Sequence, residues 1–299
     1  MNQNKNYYMG FIAYFDSYDS SILNLKLKHG FEIRRDSLKN IVQLTSRLDN
    51  SPRDIAHTRL IEAGVNSFIP ATPDGDRYVY YFYNSFVNES VAEFYKKNNY
   101  LSQIISAMRL FKEGDISLSL EYRFYCINGI PHLQSMGKAF GYHSRCRYRL
   151  KNEDFPKLQE LIESVNLPFK NNFLKLAFEN FQLSYYTNHI QLQFLTLMNC
   201  MEVLFHPSNR GELRYRISRN VAVLLGKNME DSKMIYKEMK NFYDERSNIV
   251  HRGKGDINLS DVLKLRYYAR ESIKRIYELN KGKDELLALL NSSGFGQPP

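Results

Sequence analysis

The pattern of apolar and polar positions changes near Leu150, from alternating strand-like and helix-like segments to a series of helices. In the first part, apolar residues occupy every second position from 116 to 124, which predicts a strand with one buried face. Asn128-Gly129 predicts a turn after it, and the extended run 138–150 predicts the second strand of an antiparallel hairpin. The first half is therefore predicted to be a mixed α/β domain.

Helical signals also occur before this hairpin. Ser51-Pro52 combines an N-cap residue with a proline at the first helical position, and Gly64 closes the predicted helix. Residues 88–111 carry apolar side chains at a helical spacing that is interrupted near Asn98-Asn99. The interruption predicts two short helices in this segment.

The second part of the chain is predicted to be entirely helical. Residues 173–185 and 190–205 are apolar nearly all round, as in helices at the centre of a bundle. Glycine, proline or asparagine breaks separate the further predicted helices, which occupy 154–167, 212–225, 231–251 and 261–279. The predicted fold class is α+β, with a mixed α/β N-terminal domain containing an antiparallel hairpin (1–150), an all-α helical bundle (151–290) and a disordered tail (291–299).

Composition narrows the class of protein. Lys and Arg total 41 against 32 Asp and Glu, and the resulting net charge of +9 favours an anionic partner such as nucleic acid. The three cysteines, Cys126, Cys146 and Cys200, are odd in number and far apart, which predicts neither a disulfide framework nor a zinc site. No export signal is visible, and no uncharged apolar run reaches the roughly 18 residues that cross a bilayer. These features predict a cytoplasmic protein without a membrane segment.

The most informative motif lies near the end of the predicted helix 231–251. Arg246 is a permanent cation whose planar fork fits a phosphate, and the His251 imidazole can exchange a proton near neutral pH. RNA carries its own nucleophile, the 2′-hydroxyl, so an arginine and a histidine suffice to cleave it without a metal or cofactor. The pair therefore predicts phosphodiester cleavage that leaves a 2′,3′-cyclic phosphate.

The spacing of this pair has a geometric consequence. Five residues along an ideal helix rotate the side chain by about 140°, so Arg246 and His251 do not lie on one face. Either a local distortion of the helix or a second copy of the chain must bring the two groups together. We expect a homodimer in which both helices meet at a two-fold axis.

The bundle resembles the HEPN superfamily, and its Apea-like branch in particular, over about residues 170–280. The resemblance rests on Arg246 and His251, separated by four residues at the end of a helix, and on three sequence stretches. These stretches are MNCMEVLF (198–205), ELRYRISRNVAVLL (212–225) and YDERSNIVHRG (243–253).

The resemblance implies a metal-independent endoribonuclease of a toxin, abortive-infection or antiphage defence system that works as a dimer. Arg246 and His251 then match the catalytic pair, and Ser247 and Asn248 stand where a supporting polar residue is often found. The expected substrate is RNA, with tRNA as one candidate, and an antitoxin or a phage-derived trigger would control the enzyme. A tyrosine whose modification silences one variant is replaced here by Gly253, so the resemblance does not carry that control over.

Structural roles compete with this interpretation. A histidine at a helix end can interact with the last carbonyl groups and the helix dipole, as His251 would. Arg246 can instead form an ion pair with Asp244, with Glu245 or with a residue of a neighbouring helix. The alternative function is a non-catalytic HEPN module that binds nucleic acid or a protein while the bundle dimerises.

Several other charged residues are candidates for supporting roles in the bundle. Glu202 lies in a nearly apolar helix, so it must be paired, either with Arg246 or with a cation of the helix 212–225. Arg216 and Arg219 share one face of that helix and could extend a phosphate-binding surface, although such pairs usually form a solvated face.

A basic face is also predicted in the N-terminal domain. Alternation along residues 142–150 aligns four basic side chains that could bind an RNA backbone, namely His143, Arg145, Arg147 and Arg149. Pairing with Glu121 or other acidic residues across the hairpin is an equally supported alternative. The remaining histidines show no ligand spacing, so no bound metal is predicted.

Overall fold

The protein has an α+β fold, with an antiparallel sheet in its N-terminal part and a helical C-terminal region. A computed structural model describes residues 5–13, 15–17, 20–37, 40, 78–87, 91–127, 130–137, 148–206 and 212–299. The described residues up to Val165 form one compact unit and Asn166–Pro299 form a second. The boundary thus follows Val165, whereas the change in pattern predicts it near Leu150.

The first unit contains a five-stranded sheet. Its strands are β1 (Lys5–Ala13), β3 (Glu32–Ser37), β4 (Tyr78–Val87), β5 (Ser117–Ile127) and β6 (Ile130–Gly137). They lie in the order β3-β4-β1-β5-β6, and all neighbours are antiparallel. Met9 and Phe11 on β1 and Tyr122 and Phe124 on β5 are almost completely buried. The alternation predicted along β5 is therefore confirmed on its apolar side.

The second strand of the predicted hairpin lies elsewhere. Its turn at Asn128-Gly129 falls outside the described residues, but β6 follows at once and pairs with β5, so the hairpin partner is Ile130–Gly137. The extended run assigned to it ends instead in β7 (Tyr148–Leu150), which pairs in parallel with β2 (Phe15–Ser17). Local alternation identified a strand but not its partner, because pairing depends on the rest of the sheet.

The segment predicted to hold two short helices forms one. Helix α1 (Val91–Phe111) is continuous through the two asparagines, so the prediction of an interruption is wrong. Burial of Leu101, Ile104 and Met108 overrides the weak helix propensity of asparagine. The helix predicted from Ser51 to Gly64 lies outside the described residues.

A second helix of this unit, α2 (Asp154–Ser164), follows β7. A 2.6 Å ion pair joins Asp154 at its start to Lys112, immediately after α1. This contact joins α2 to the end of α1, and both helices belong to the first unit.

The second unit is a helical bundle. Its helices are α3 (Asn172–Leu183), α4 (Ile190–Phe205), α5 (Leu213–Leu225), α6 (Met229–Arg252), α7 (Leu259–Leu279) and α8 (Lys283–Ser292). Helix α4 contacts α3, α5, α6 and α7, in agreement with its predicted central position.

No helix in the described parts of the chain is both long and apolar enough to cross a membrane.

A completely buried arginine joins three segments of this bundle. The Arg266 guanidinium on α7 donates to the Ser184 hydroxyl, the Ser184 carbonyl and the Gln193 side-chain carbonyl, each at 3.2 Å. It also lies 4.2 Å from the centre of the Tyr185 ring. Because Ser184 is the C-cap of α3, the cation faces the negative end of a helix dipole.

The segment after residue 290 has a defined place on the bundle. The sequence predicts a disordered tail from 291, whereas α8 continues to Ser292 and the following residues contact α6 and α7, the latter through a hydrogen bond from Arg275 to the Pro299 carbonyl. Gly296 donates its amide to the Ser232 hydroxyl at 2.9 Å, and Phe295 packs against Tyr236. A Cβ at Gly296 would lie 2.6 Å from the Met229 nitrogen, so only glycine fits there.

Candidate active site

The helix that carries the arginine–histidine pair is defined at both ends. Asn228 caps the start of α6 by accepting a hydrogen bond from the Asp231 amide. At the other end, Gly253 adopts a left-handed conformation (φ 63°) and donates to the Ile249 carbonyl at 3.1 Å. This glycine cap ends the helix immediately after His251 and Arg252.

Arg246 forms an ion pair with Glu202 of α4, with 3.2 Å between Nε and Oε1. The two side chains are only 24% and 21% exposed, so water screens the contact incompletely. Neither of these two atoms forms a hydrogen bond within the described residues, so the contact is ionic. Of the partners considered for each residue, the structure thus pairs Glu202 with Arg246.

Tyr243 completes a cluster with this ion pair. Burial raises the pKa of the Tyr243 hydroxyl, the negative charge of Glu202 raises that pKa further, and the positive charge of Arg246 opposes the shift. Tyr243 precedes Arg246 by three residues, so both lie on the side of α6 that faces Glu202. Tyr243 was not predicted as a site residue, although its i, i+3 spacing from Arg246 is visible in the sequence.

His251 lies apart from the cluster. It is exposed, and its imidazole forms no hydrogen bond or ion pair within the described part of the chain. Helix α6 continues as a regular helix to Arg252, so no distortion turns His251 toward Arg246. Ser247 and Asn248 are half-buried, and their side chains form no hydrogen bond to any described residue. One copy of the chain therefore keeps Arg246 and His251 on different faces.

The arginines of α5 have three different environments. Arg214 pairs with Asp244 of α6. Arg219 donates to the carbonyl oxygens of Leu290 at 2.8 Å and Ser293 at 2.7 Å, so it caps the end of α8. The half-buried Arg216 side chain forms no hydrogen bond or ion pair to a described residue. Of the two arginines of α5 predicted to bind phosphate, Arg219 thus has structural partners, whereas Arg216 has none among the described residues.

This difference can be tested by alanine substitution. Arg219→Ala is expected to lower the free energy of unfolding by about 1–2 kcal/mol, because the carbonyl groups at the end of α8 lose a charged donor. Arg216→Ala is the matched control on the same helix and should change the free energy of unfolding by less than about 0.5 kcal/mol. Urea unfolding of both variants measures the difference, and equal stabilities would contradict the capping role.

Only one of the predicted basic residues of the N-terminal domain can be placed. His143, Arg145 and Arg147 lie outside the described residues. Arg149 is exposed on β7 between the buried Tyr148 and Leu150, opposite Asp16 of β2 in the strand register.

Glu121, the alternative partner for the basic face, interacts with a tyrosine. Burial raises the pKa of its carboxyl group, and a hydrogen bond from the Tyr8 hydroxyl partly opposes this shift. This contact gives a half-buried carboxylate on the sheet a polar partner.

The described parts of the chain contain no cluster of potential metal ligands. No three side chains of His, Cys, Asp or Glu come together there in a way that could hold a metal ion. Cys200 is completely buried, and burial raises the pKa of its thiol, as expected for a core cysteine.

No protein-family model, no curated protein and no solved structure matches this chain. The functional conclusion therefore rests on the chemistry of four side chains, those of Glu202, Tyr243, Arg246 and His251.

Proposed function

We propose that this protein is a metal-independent endoribonuclease of the HEPN type. The proposal rests chiefly on one observation. Helix α6 carries both Arg246, which Glu202 of α4 holds in place, and the exposed imidazole of His251 near its end. A positioned cation and an accessible proton carrier are the two groups that RNA cleavage by the 2′-hydroxyl requires. Cytoplasmic antiphage defence or abortive infection, controlled by an antitoxin or a phage-derived trigger, is the proposed setting.

The reaction follows from the chemistry of the two side chains. The RNA 2′-oxygen forms a bond to phosphorus while its proton passes to the His251 imidazole. The bond between phosphorus and the 5′-oxygen then breaks, and the imidazolium returns a proton to that oxygen. Arg246 stabilises the charge that develops on the phosphorane, and the products carry a 2′,3′-cyclic phosphate and a 5′-hydroxyl.

Glu202 supports this role by restricting the guanidinium. It contacts the Nε side of Arg246, while the terminal amino groups form no hydrogen bond to a described residue. Those amino groups can therefore donate to two phosphate oxygens. Arg216, which lacks a described partner, is proposed to hold a neighbouring phosphate.

Two copies of the chain are part of the proposal. Because Arg246 and His251 point about 140° apart on a regular helix, one copy cannot direct both at the same phosphate. A two-fold axis close to the end of α6 would place the arginine of one copy beside the histidine of the other.

A non-catalytic HEPN module is the second candidate. Two observations favour it: Glu202 already neutralises the charge of Arg246, and no described residue orients the His251 imidazole. In this case the bundle would dimerise, while the basic face of the N-terminal domain binds nucleic acid or a protein.

Incubation of the purified protein with total tRNA and a structured RNA in EDTA separates the two functions. The wild-type protein is expected to release fragments that end in cyclic phosphate, and His251→Ala is expected to release none. Arg252→Ala, a substitution of the exposed neighbour, is the matched control and should retain activity. Absence of cleavage by the wild-type protein would favour the binding module.

A further inference from the structure

Helices α5 and α6 share a surface that combines tyrosine rings with lysines. The Tyr215 ring of α5 meets the Tyr236 ring of α6 edge to face, with 6.2 Å between the ring centres. The Lys240 ammonium, one helical turn further along α6, lies 5.2 Å from the centre of the Tyr236 ring. Lys237 is exposed and precedes Lys240 by three residues, so the two lysines are neighbours on the helix. We call these four side chains the α5–α6 surface.

Tyr215 is held in position and is still accessible. Its side chain is 48% exposed. Tyr236, against which it packs, also contacts Phe295, with 5.7 Å between the ring centres. A single exposed tyrosine is ordinary on a soluble protein, but a ring fixed in this way loses little conformational freedom when a flat ligand stacks on it.

The lysines of the α5–α6 surface lack acidic partners. Neither Lys237 nor Lys240 forms an ion pair with a described residue. Two acidic residues on this side of α6 are already paired with other cations. Asp244, one turn after Lys240, pairs with Arg214, and Glu230, two turns before Lys237, is paired with a different lysine. The positive charge of the surface therefore fits an anionic ligand.

An accessible ring beside unpaired lysines is suited to a single strand of nucleic acid. The ring stacks on a base, and the lysines contact the phosphates of the backbone. Bases inside a duplex are already stacked on both sides, so the ring reaches only a base that is unpaired and unstacked. An acidic peptide would use the lysines, but it would not need the ring of Tyr215.

The same side of α6 leads to the proposed catalytic histidine. Because each helical residue turns by about 100°, Tyr236, Lys240, Ser247 and His251 point within about 60° of one another. The rise of about 1.5 Å per residue separates His251 from Tyr236 by about 22 Å along the helix axis, which is room for several nucleotides. A strand with one base on Tyr215 can therefore follow α6 to His251.

We propose that the α5–α6 surface binds a single-stranded segment of RNA, with one base stacked on Tyr215 and the adjoining phosphates held by Lys237 and Lys240. The binding of the strand rests on the side chains of this surface. Its path towards His251 rests on the proposed function. In that reaction Tyr215 is a positioning residue, which selects substrates that are single-stranded beside the cleaved bond.

Fluorescence anisotropy of a labelled single-stranded 2′-O-methyl oligoribonucleotide measures binding by the full-length protein without cleavage, because this probe lacks the nucleophilic hydroxyl. Tyr215→Ala is expected to raise the dissociation constant at least about fivefold, since it removes the stacked ring. Tyr215→Phe keeps the ring and should bind as the wild-type protein does. A duplex of the same sequence should bind more weakly, and its affinity should not depend on Tyr215.

The lysines are tested by the dependence of binding on salt. Lys240→Ala should lower the slope of the logarithm of the dissociation constant against the logarithm of the salt concentration by about 0.7, the effect of one lost phosphate contact on a single strand. Lys175→Ala on α3 and Tyr267→Ala on α7 replace exposed side chains outside the surface. Both controls should keep the wild-type affinity and slope. Circular dichroism shows whether each variant is folded.

Three results would overturn this proposal. They are a wild-type protein that does not bind the probe, a folded Tyr215→Ala variant with wild-type affinity, and a loss of affinity in the lysine variant alone, which would indicate an acidic ligand held by charge. Failure of the proposed function looks different. Binding that depends on Tyr215 without cleavage of unmodified RNA would support the surface and contradict the ribonuclease. Cleavage of RNA by Tyr215→Ala with the wild-type KM would do the reverse.

Discussion

Arg246→Lys is expected to slow the proposed RNA cleavage at least about 100-fold while the fold and the oligomeric state stay unchanged. Lysine keeps the positive charge but loses the planar fork, so it cannot hold Glu202 on one side and donate to two phosphate oxygens on the other. Single-turnover cleavage of a labelled RNA by the wild-type protein and the variant measures this effect. The change should appear in the maximal rate, since the lost contact is strongest in the transition state.

Two comparisons make this prediction specific to the site. Arg252→Lys is the same substitution at an exposed position six residues further along α6, and it should cleave at the wild-type rate. Glu202→Gln should show an intermediate loss, because Arg246 keeps its fork but loses its ionic anchor. Cleavage by the Arg246 variant within a few-fold of the wild-type rate would mean that the guanidinium does not act on the phosphate.

Arg266→Ala is expected to lower the free energy of unfolding by about 3–5 kcal/mol. The substitution opens a cavity in the bundle and removes the donors that satisfy the Ser184 carbonyl and the Gln193 side chain. Because Arg266 is completely buried, water cannot replace those donors without entering the core. Urea denaturation followed by circular dichroism gives the value directly.

Arg252→Ala is the control for this measurement, since it removes an arginine from the surface and should cost less than about 0.5 kcal/mol. Arg266→Met also loses the hydrogen bonds, but methionine fills much of the space of the arginine side chain. The difference in stability between the alanine and methionine variants therefore measures the cost of the cavity. If the alanine and methionine variants both match the stability of the wild-type protein, Arg266 does not hold α3 and α4 to α7.

Only part of the candidate site could be predicted from sequence patterns. The end of α6 was predicted at His251, within one residue of the observed Arg252, because the Gly253 cap acts within one turn. Its start was predicted at Asp231, two residues after the observed Met229, because the cap residue Asn228 was not identified. The partner of Arg246 could not be decided in the same way. Asp244, Glu245 and Glu202 were all available, and only the packing of α4 against α6 selects Glu202.

Arg216 and Arg219 illustrate the same limit. They share residue type, helix and predicted face, yet Arg219 caps α8, whose end lies 71 residues away in the chain at Leu290. No local pattern contains that contact, because it depends on how the last helix folds back on the bundle. Tyr243 is a different case. Its spacing from Arg246 is visible in the sequence, but its place in the candidate site depends on Glu202, which lies on another helix.

The sequence by itself determined the α+β class, the positions of the bundle helices α3 to α7 and the place of the arginine–histidine pair near the end of α6, but it did not predict helix α8. These properties follow from hydrophobic periodicity and capping, which act over a few residues. The tertiary structure decided which strand pairs with β5, which carboxylate holds Arg246 and which apolar side chains stay exposed. Such properties depend on residues far apart in the chain, because burial and charge pairing are set only when the elements pack together.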